Sequence, residues 1–173
     1  MKILGANADA YQALVVSGPA PALAHELLDG VTADQLVVPN SSANAAAMLA
    51  GLWLWHDGLD ESHRISQNLS DRTGSFLHAI MHRREGDFGN SKYWYARAAG
   101  HPALATLGAQ APGMVHSLPA DKSLLRIIIN GFDPAALVDL VEKVADKPGD
   151  SLHRAAVALQ QLEWRILFDY CWR

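Results

Sequence analysis

The chain has 173 residues, of which 50% are hydrophobic and 18% are charged, with a formal net charge of −4 at pH 7. A chain of this length can bury a sizeable core, and this composition is typical of one folded, soluble domain, residues 1–173. The charge balance gives no general attraction to phosphate backbones or anionic lipids, so we expect neither nucleic acid nor a membrane as partner.

Cellular location is indicated by three features of the sequence. The N-terminal residues carry one lysine, Lys2, and no apolar stretch long enough for a secretory signal. The longest apolar run, Ala45 to Trp55, is eleven residues and too short to cross a bilayer. The single cysteine, Cys171, cannot form an intramolecular disulfide, so we expect a cytoplasmic protein.

Helical periodicity dominates the chain and strand-like alternation is nearly absent, which predicts an all-α, compact multi-helix domain. A short helix is expected from Ser17 to Leu28. The next, from Ser41 or Ser42 to residue 69, is expected to be a long central helix that can bend at Gly58.

The remaining helices follow from start and stop signals. Thr73 or Ser75 begins a helix that ends at Glu85, and a turn at Gly86-Asp87 leads into another at 89–99. Asp133-Pro134 is a cap and first-turn pair for a helix to Ala145, and a long C-terminal helix is predicted from Ser151 to Tyr170.

Two segments between these helices are harder to assign. Residues 108–121, with two prolines and two glycines, are predicted to form a loop of the kind that often lies over a site, and His116 in it could close over that site. Residues 124–131 fit either a short strand or a buried helix, and the pattern does not separate the two.

Histidines form two stripes at helical spacing. His56 and His63 fall on one face of the predicted central helix together with Asp60 and Gln67. On the next helix His78, His82 and Glu85 fall at i, i+4 and i+7. If the two helices pack antiparallel, residues 42–69 and 74–85 enclose a shared polar site.

Three interpretations of the stripes remain open. Imidazole and carboxylate groups can bind a divalent metal, with His56, His63, His78 and His82 as its ligands. Without a metal, one histidine can act as general base, oriented by Asp60 or Glu85. In the third interpretation the histidines only satisfy hydrogen bonds in the core of a structural or protein-interaction module.

The basic residues beside the stripes have two possible roles. Arg83, Arg84 or Lys92 can bind an anionic substrate of a small-molecule enzyme or binding protein. Glu163 stands in an otherwise apolar C-terminal helix, where a charged group usually has a partner. It either completes the polar site or forms a salt bridge to Arg83 or Arg84.

Residues 78–102 resemble a single tetratricopeptide-type helical hairpin. Gly86, Asp87 and Phe88 match its turn, and Ser91, Tyr95 and Ala98 match its small, aromatic and small positions. A second copy at the period of roughly 34 residues is absent, so we expect the hairpin and not a peptide-binding array.

A longer resemblance joins three stretches of the chain, HDGLDESHRISQ, GSFLHAIMHRREGDFGNSKYWYARAAGHP and LQQLEWRILFDYCWR. Together they are similar to a family of uncharacterised bacterial and fungal helical proteins that share this histidine-rich core. That family has no assigned activity, so the resemblance implies no reaction, and the oligomeric state is not determined by it.

Overall fold

The computed structural model describes residues 11–36 and 42–173, and within them the chain forms nine α-helices and no β-strand. This confirms the predicted all-α fold. The helices are α1 (Ala22–Leu28), α2 (Ser42–Trp55), α3 (Leu59–Ser66), α4 (Arg72–Glu85), α5 (Phe88–Arg97), α6 (Pro102–His116), α7 (Lys122–Ile128), α8 (Pro134–Val144) and α9 (Ser151–Trp172). None of the helices in the described ranges is both long and apolar enough to span a membrane.

Helix α4 lies at the centre of the packing. It contacts α2, α3 and α5, and every residue from Thr73 to Arg84 is buried. A helix enclosed on all sides is normally apolar all round, but the buried stretch of this one carries two histidines and two arginines. Their polar groups must therefore find partners inside the protein.

The prediction of one central helix over residues 42–69 is wrong, because this segment forms two helices, α2 and α3. Asp57 has a left-handed backbone, with φ at 65°, and the chain turns there between Trp55 and Leu59. The break changes the direction of the helix axis, so side chains before and after it no longer share one face. The predicted cap at Ser41 falls outside the described residues.

The predicted loop at 108–121 is also wrong, because most of it belongs to α6. A stripe of four apolar side chains at intervals of four residues is buried along this helix: Ala103, Leu107, Ala111 and Val115. Pro112 lies inside the helix, where it removes one backbone hydrogen bond. Burial of the stripe outweighs that cost, and the turn begins only after His116.

Helices α4 and α5 form a helical hairpin with a short turn. Gly86 ends α4 with φ at 87°, a left-handed conformation in which a side chain would be strained. The carboxylate of Asp87 accepts a hydrogen bond from the backbone N–H of Asn90 and caps α5. Ser91 donates to the carbonyl oxygen of Ala79 at 2.7 Å, so the small residue lets the two helices approach closely.

The other boundaries differ little from the predictions. Helix α1 begins at Ala22, later than expected, and α9 continues to Trp172. The ambiguous segment near residue 124 is helical as α7. The predicted cap at Asp133 is confirmed, since its carboxylate accepts from the N–H of Ala136 at 3.1 Å.

Candidate functional site

Three of the four stripe histidines meet where α3 packs against α4. The ring of His63 on α3 lies edge-on to His78 and His82 on α4, with centroid distances of 5.1 Å and 5.7 Å. The rings of His78 and His82 are 6.2 Å apart. We call these three residues the histidine cluster. His63 is only half-buried, so the cluster borders solvent.

A close backbone approach sets the position of α3 relative to α4. A Cβ atom on Gly74, in the first turn of α4, would lie 2.1 Å from the carbonyl oxygen of Leu69. Only glycine therefore allows the α3–α4 connection to fold back so tightly. This brings the last turn of α3, which carries His63, beside the middle of α4.

The imidazole of His78 is buried and held on both sides. Its Nδ1 lies 3.0 Å from the carbonyl oxygen of Gly74, and its ring stacks on the indole of Trp94 at a centroid distance of 4.3 Å. Burial lowers the pKa of His78 below its ordinary value, and His63 and His82 lower it further when they are charged. The ring is therefore held in its neutral form at neutral pH.

His82 is held by two polar neighbours. Its Nδ1 lies 3.0 Å from the carboxylate of Glu85, and its Nε2 lies 3.1 Å from the side-chain amide nitrogen of Asn90. A carboxylate only accepts hydrogen bonds, so Nδ1 carries a proton. The amide nitrogen of Asn90 lies 3.1 Å from Nε2 and 3.5 Å from Nδ1, which places it over the face of the ring. A carboxylate at this distance orients the imidazole ring.

His56 does not join the cluster in the structure. It is buried at the end of α2, before the turn at Asp57, and the ring contacts of the cluster do not include it. Asp60 and Gln67, predicted on the same stripe, are exposed. The carboxylate that reaches the histidines is Glu85, from their own helix.

The metal interpretation gains no support from this geometry. Among the residues that the structure describes, no three histidine, cysteine, aspartate or glutamate side chains are arranged to hold a metal ion. In the cluster itself, the ring of His63 packs edge-on against His78 and His82, and the carboxylate of Glu85 is bound to Nδ1 of His82.

Arg83 binds groups of the protein and does not contact the histidine cluster. It is fully buried, and its guanidinium contacts the carboxylate of Glu163 on α9 and the hydroxyl of Tyr95 on α5, each at 2.5 Å. Tyr95 in turn donates to Glu163 at 2.7 Å. Of the two roles predicted for Glu163, the structure has the salt bridge to Arg83, which links α9 to α4.

Arg84 is also fully buried and binds protein groups. It donates to the carbonyl oxygens of Leu54 and Ala13 and to the carboxylate of Asp57, at 2.6, 3.1 and 2.6 Å. Its guanidinium lies 4.1 Å from the ring centroid of Tyr11. It thereby fixes the turn after α2 and the segment from residue 11 onto α4.

Lys92 points away from the histidine cluster. Its amino group lies 2.6 Å from the carboxylate of Asp139 on α8, which also pairs with Arg126 at 3.0 Å. Of the three basic residues predicted to bind substrate, none contacts the cluster, and each has an acidic partner within the protein.

Other predicted or possible site residues lie elsewhere. His116 lines a shallow cleft between α6 and α7, among Val115, Leu118 and Leu124, and does not close over the histidines. His101 is buried at the start of α6, where Nδ1 accepts from the N–H of Ala103 at 3.1 Å and Nε2 meets the hydroxyl of Thr73 at 3.2 Å. It is a helix cap.

Two residues of the site were not predicted from the sequence. Asn90 and Trp94 stand at i and i+4 on α5, and this face of the helix covers His78 and His82. Their spacing is a signal that could have found them, because a polar residue one turn before a tryptophan on an amphipathic helix marks the edge of its buried face.

Comparison of the chain with protein-family models, with curated proteins and with solved structures finds no match in any of the three. The resemblance to the histidine-rich bacterial and fungal family therefore stays a prediction. Any function has to be argued from the residues of the cluster.

Proposed function

We propose that the protein is a small-molecule enzyme or binding protein whose site is the histidine cluster with Glu85 and Asn90. One observation carries the proposal: on α4, the Nδ1 atoms of His78 and His82 each lie 3.0 Å from an oxygen acceptor, the carbonyl of Gly74 and the carboxylate of Glu85. When the rings are neutral, their protons are at Nδ1 and each Nε2 is left as an acceptor, in a cluster that borders solvent at half-buried His63.

The His82–Glu85 pair supplies the chemistry of a general base. When Nε2 of His82 takes a proton from a bound hydroxyl or water, the ring becomes positively charged. The carboxylate of Glu85 at 3.0 Å stabilises that charge and keeps Nε2 aimed at the reacting group. The proposal includes no resident metal, and divalent ions enter its test as probes.

The alternative is a structural or protein-interaction module in which the histidines are core residues. The burial of His78, with its Nδ1 bound to its own helix and its ring on Trp94, favours this second candidate. Arg83 and Arg84 show that polar groups of α4 can act purely as links between helices.

A ligand screen with matched histidine variants distinguishes a ligand-binding site from a structural core. Purified protein without a tag, stripped of metals, is melted alone and with neutral polyols, small carboxylates, phosphates and divalent ions. A ligand at about 100 times its Kd stabilises the native state by about 2.7 kcal/mol, which raises Tm by roughly 5 to 11 °C in a chain of this size.

The decisive variants are His82→Gln and a control, His25→Gln. His25 on α1 forms the same kind of pair at the surface, with its Nδ1 3.0 Å from the carboxylate of Asp29. We expect at least one compound class to stabilise the parent and the control but not His82→Gln. If no compound stabilises the parent and His82→Gln melts well below it, the histidines are core and the site does not exist.

A further inference from the structure

We infer that helix α3 is a flap over the histidine cluster, which lifts as one unit and thereby gives a ligand access to the imidazoles of His78 and His82. The inference rests on the proposed function and concerns how that site is reached. In the structure only 3% of His78 and 8% of His82 is exposed, so little of either ring is open to a ligand. A site at these rings needs a cover that moves, and α3 carries His63, which lies edge-on to both.

The side-chain hydrogen bonds of α3 stay within the helix and the turn that follows it. Arg64 donates to the carboxylate of Glu61 at 3.2 Å. The carbonyl oxygen of Arg64 accepts from the side-chain amides of Gln67 and Asn68, at 3.3 and 2.9 Å. Among the residues that the structure describes, no side-chain hydrogen bond or ion pair joins residues 59–68 to another helix. The segment can therefore lift with all of these bonds intact.

The face of α3 that packs against α2 and α4 is held weakly. Its two fully buried side chains are serines, Ser62 and Ser66, which bury little apolar surface, and Ile65 is only half-buried. The hydroxyl of Ser62 and one carboxylate oxygen of Glu61 are buried without a hydrogen-bond partner among the described residues. Water can bind both groups when α3 lifts, which lowers the free energy of the open state. Segments with few buried apolar contacts open below the free energy of global unfolding.

The other cover of the cluster, α5, is bonded to α4. The hydroxyl of Ser91 donates to the carbonyl oxygen of Ala79 at 2.7 Å. The hydroxyl of Tyr95 accepts a hydrogen bond from the buried guanidinium of Arg83. Both bonds break if α5 leaves α4. Of the two helices beside the rings, α3 is therefore the one that moves.

The two ends of α3 provide a pivot and slack. Before the helix, Asp57 has a left-handed backbone, and Arg84 holds its carboxylate at 2.6 Å, so the turn stays on α4. After the helix, five residues, 67–71, lead to α4, and when extended they span roughly 17 Å. In the closed state this connection is folded tightly against Gly74. Helix α3 thus swings about Asp57 while the connection lengthens, and the cluster opens to solvent.

The test measures how fast diethyl pyrocarbonate, which acylates neutral imidazole, modifies each histidine at about pH 8, with the sites read by mass spectrometry. Ile65→Ala removes apolar contacts of α3, and Ile128→Ala is its matched control on α7. Both isoleucines are half-buried against the main core. The exposed residue His116 gives the rate of an open imidazole, and urea titration gives the free energy of unfolding of each variant.

We expect His78 and His82 of the parent to react more slowly than His116 but faster than global unfolding permits. Ile65→Ala should speed both reactions roughly 10-fold, because it destabilises the closed state and not the open one. Ile128→Ala should leave both rates unchanged, because α7 is packed equally in the two states.

Three results overturn the flap. Equal acceleration by the two isoleucine variants, or parental rates set by global unfolding, shows that α3 does not open alone. Parental rates equal to that of an open imidazole show that the rings are reached without any opening. Ser62→Ala provides a variant that does not weaken the packing: it should slow both reactions severalfold, because the hydroxyl that favours the open state is gone, and unchanged rates overturn the inference.

The melting screen judges the proposed function separately. If a compound stabilises the parent through His82 but the two isoleucine variants react alike, only the flap is wrong. If Ile65→Ala alone exposes the rings and no compound stabilises the parent, the motion of α3 stands and the proposed function fails.

Discussion

Replacing Arg83 with methionine tests how much the buried link between α4 and α9 stabilises the fold. Arg83 and Glu163 are both fully buried, and their groups meet at 2.5 Å with Tyr95 bound to each. Burial lowers the pKa of Arg83, but Glu163, Tyr95 and Tyr11 together outweigh it and the net shift is upward, so the arginine stays charged. Methionine fills most of its volume and strands the carboxylate.

The expected cost follows from that stranded charge. Breaking one side of a buried pair costs about 3 to 5 kcal/mol, which for a chain of this size lowers Tm by roughly 6 to 20 °C. The double variant Arg83→Met with Glu163→Leu removes both charges and should recover most of the loss. Each free energy of unfolding is measured by urea titration and by melting.

A surface pair provides the control. Arg64 on α3 lies 3.2 Å from Glu61, and its side chain is largely exposed, so Arg64→Met should change stability by less than about 1 kcal/mol. If Arg83→Met costs no more than Arg64→Met, or if the double variant is less stable than the single one, the buried pair does not link the helices as described.

Three further predictions concern other parts of the fold. Burial lowers the pKa of His101 to about 4, below its value of about 6.5 in the unfolded chain. Stability should therefore fall by up to about 3 kcal/mol as pH drops from about 6.5 to 4. The variant His101→Asn, which keeps a cap, should flatten this slope in denaturant titrations across that range. Gly74→Ala should cost several kcal/mol and separate α3 from α4, because its Cβ would collide with the backbone of Leu69; loss of the ring contact between His63 and His78 in NMR would show it, and an unchanged contact at parental stability would refute it. Burial raises the pKa of Cys171 to about 12, so a thiol reagent at pH 8 should label it only as fast as the protein opens, and labelling at the rate of a free thiol would contradict its burial.

The candidate site could be predicted only where it lies within one helix. His78, His82 and Glu85 share a face of α4 as their spacing requires, because α4 is an unbroken helix from Arg72 to Glu85. The same spacing rule predicted that His56 and His63 share one helix face, but the rule holds only within an unbroken helix. The left-handed residue Asp57 lies between them, and a stripe does not continue through a change of axis.

The sequence did not decide whether the basic residues bind a substrate or form salt bridges. Arg83 and Glu163 are 80 positions apart, and both a salt bridge and a shared ligand site fit their charges. The i, i+4 spacing of Asn90 and Trp94 marks the edge of a buried helix face, but it does not say that this face covers His82. The packing of α5 and α9 determines which side of α4 each arginine faces, and the local sequence HRRE does not.

The sequence by itself determined the helical class, the cap at Asp133, the turn at Gly86-Asp87, and the two-imidazole stripe of α4, because each depends on contacts within about four residues. Only the tertiary structure decided that α6 continues through Pro112, that the helix of residues 42–69 breaks, and which histidines meet. Those outcomes depend on how much apolar surface distant segments bury against each other. That burial outweighs local preferences of about 1 to 3 kcal/mol for proline and glycine, and no single segment contains it.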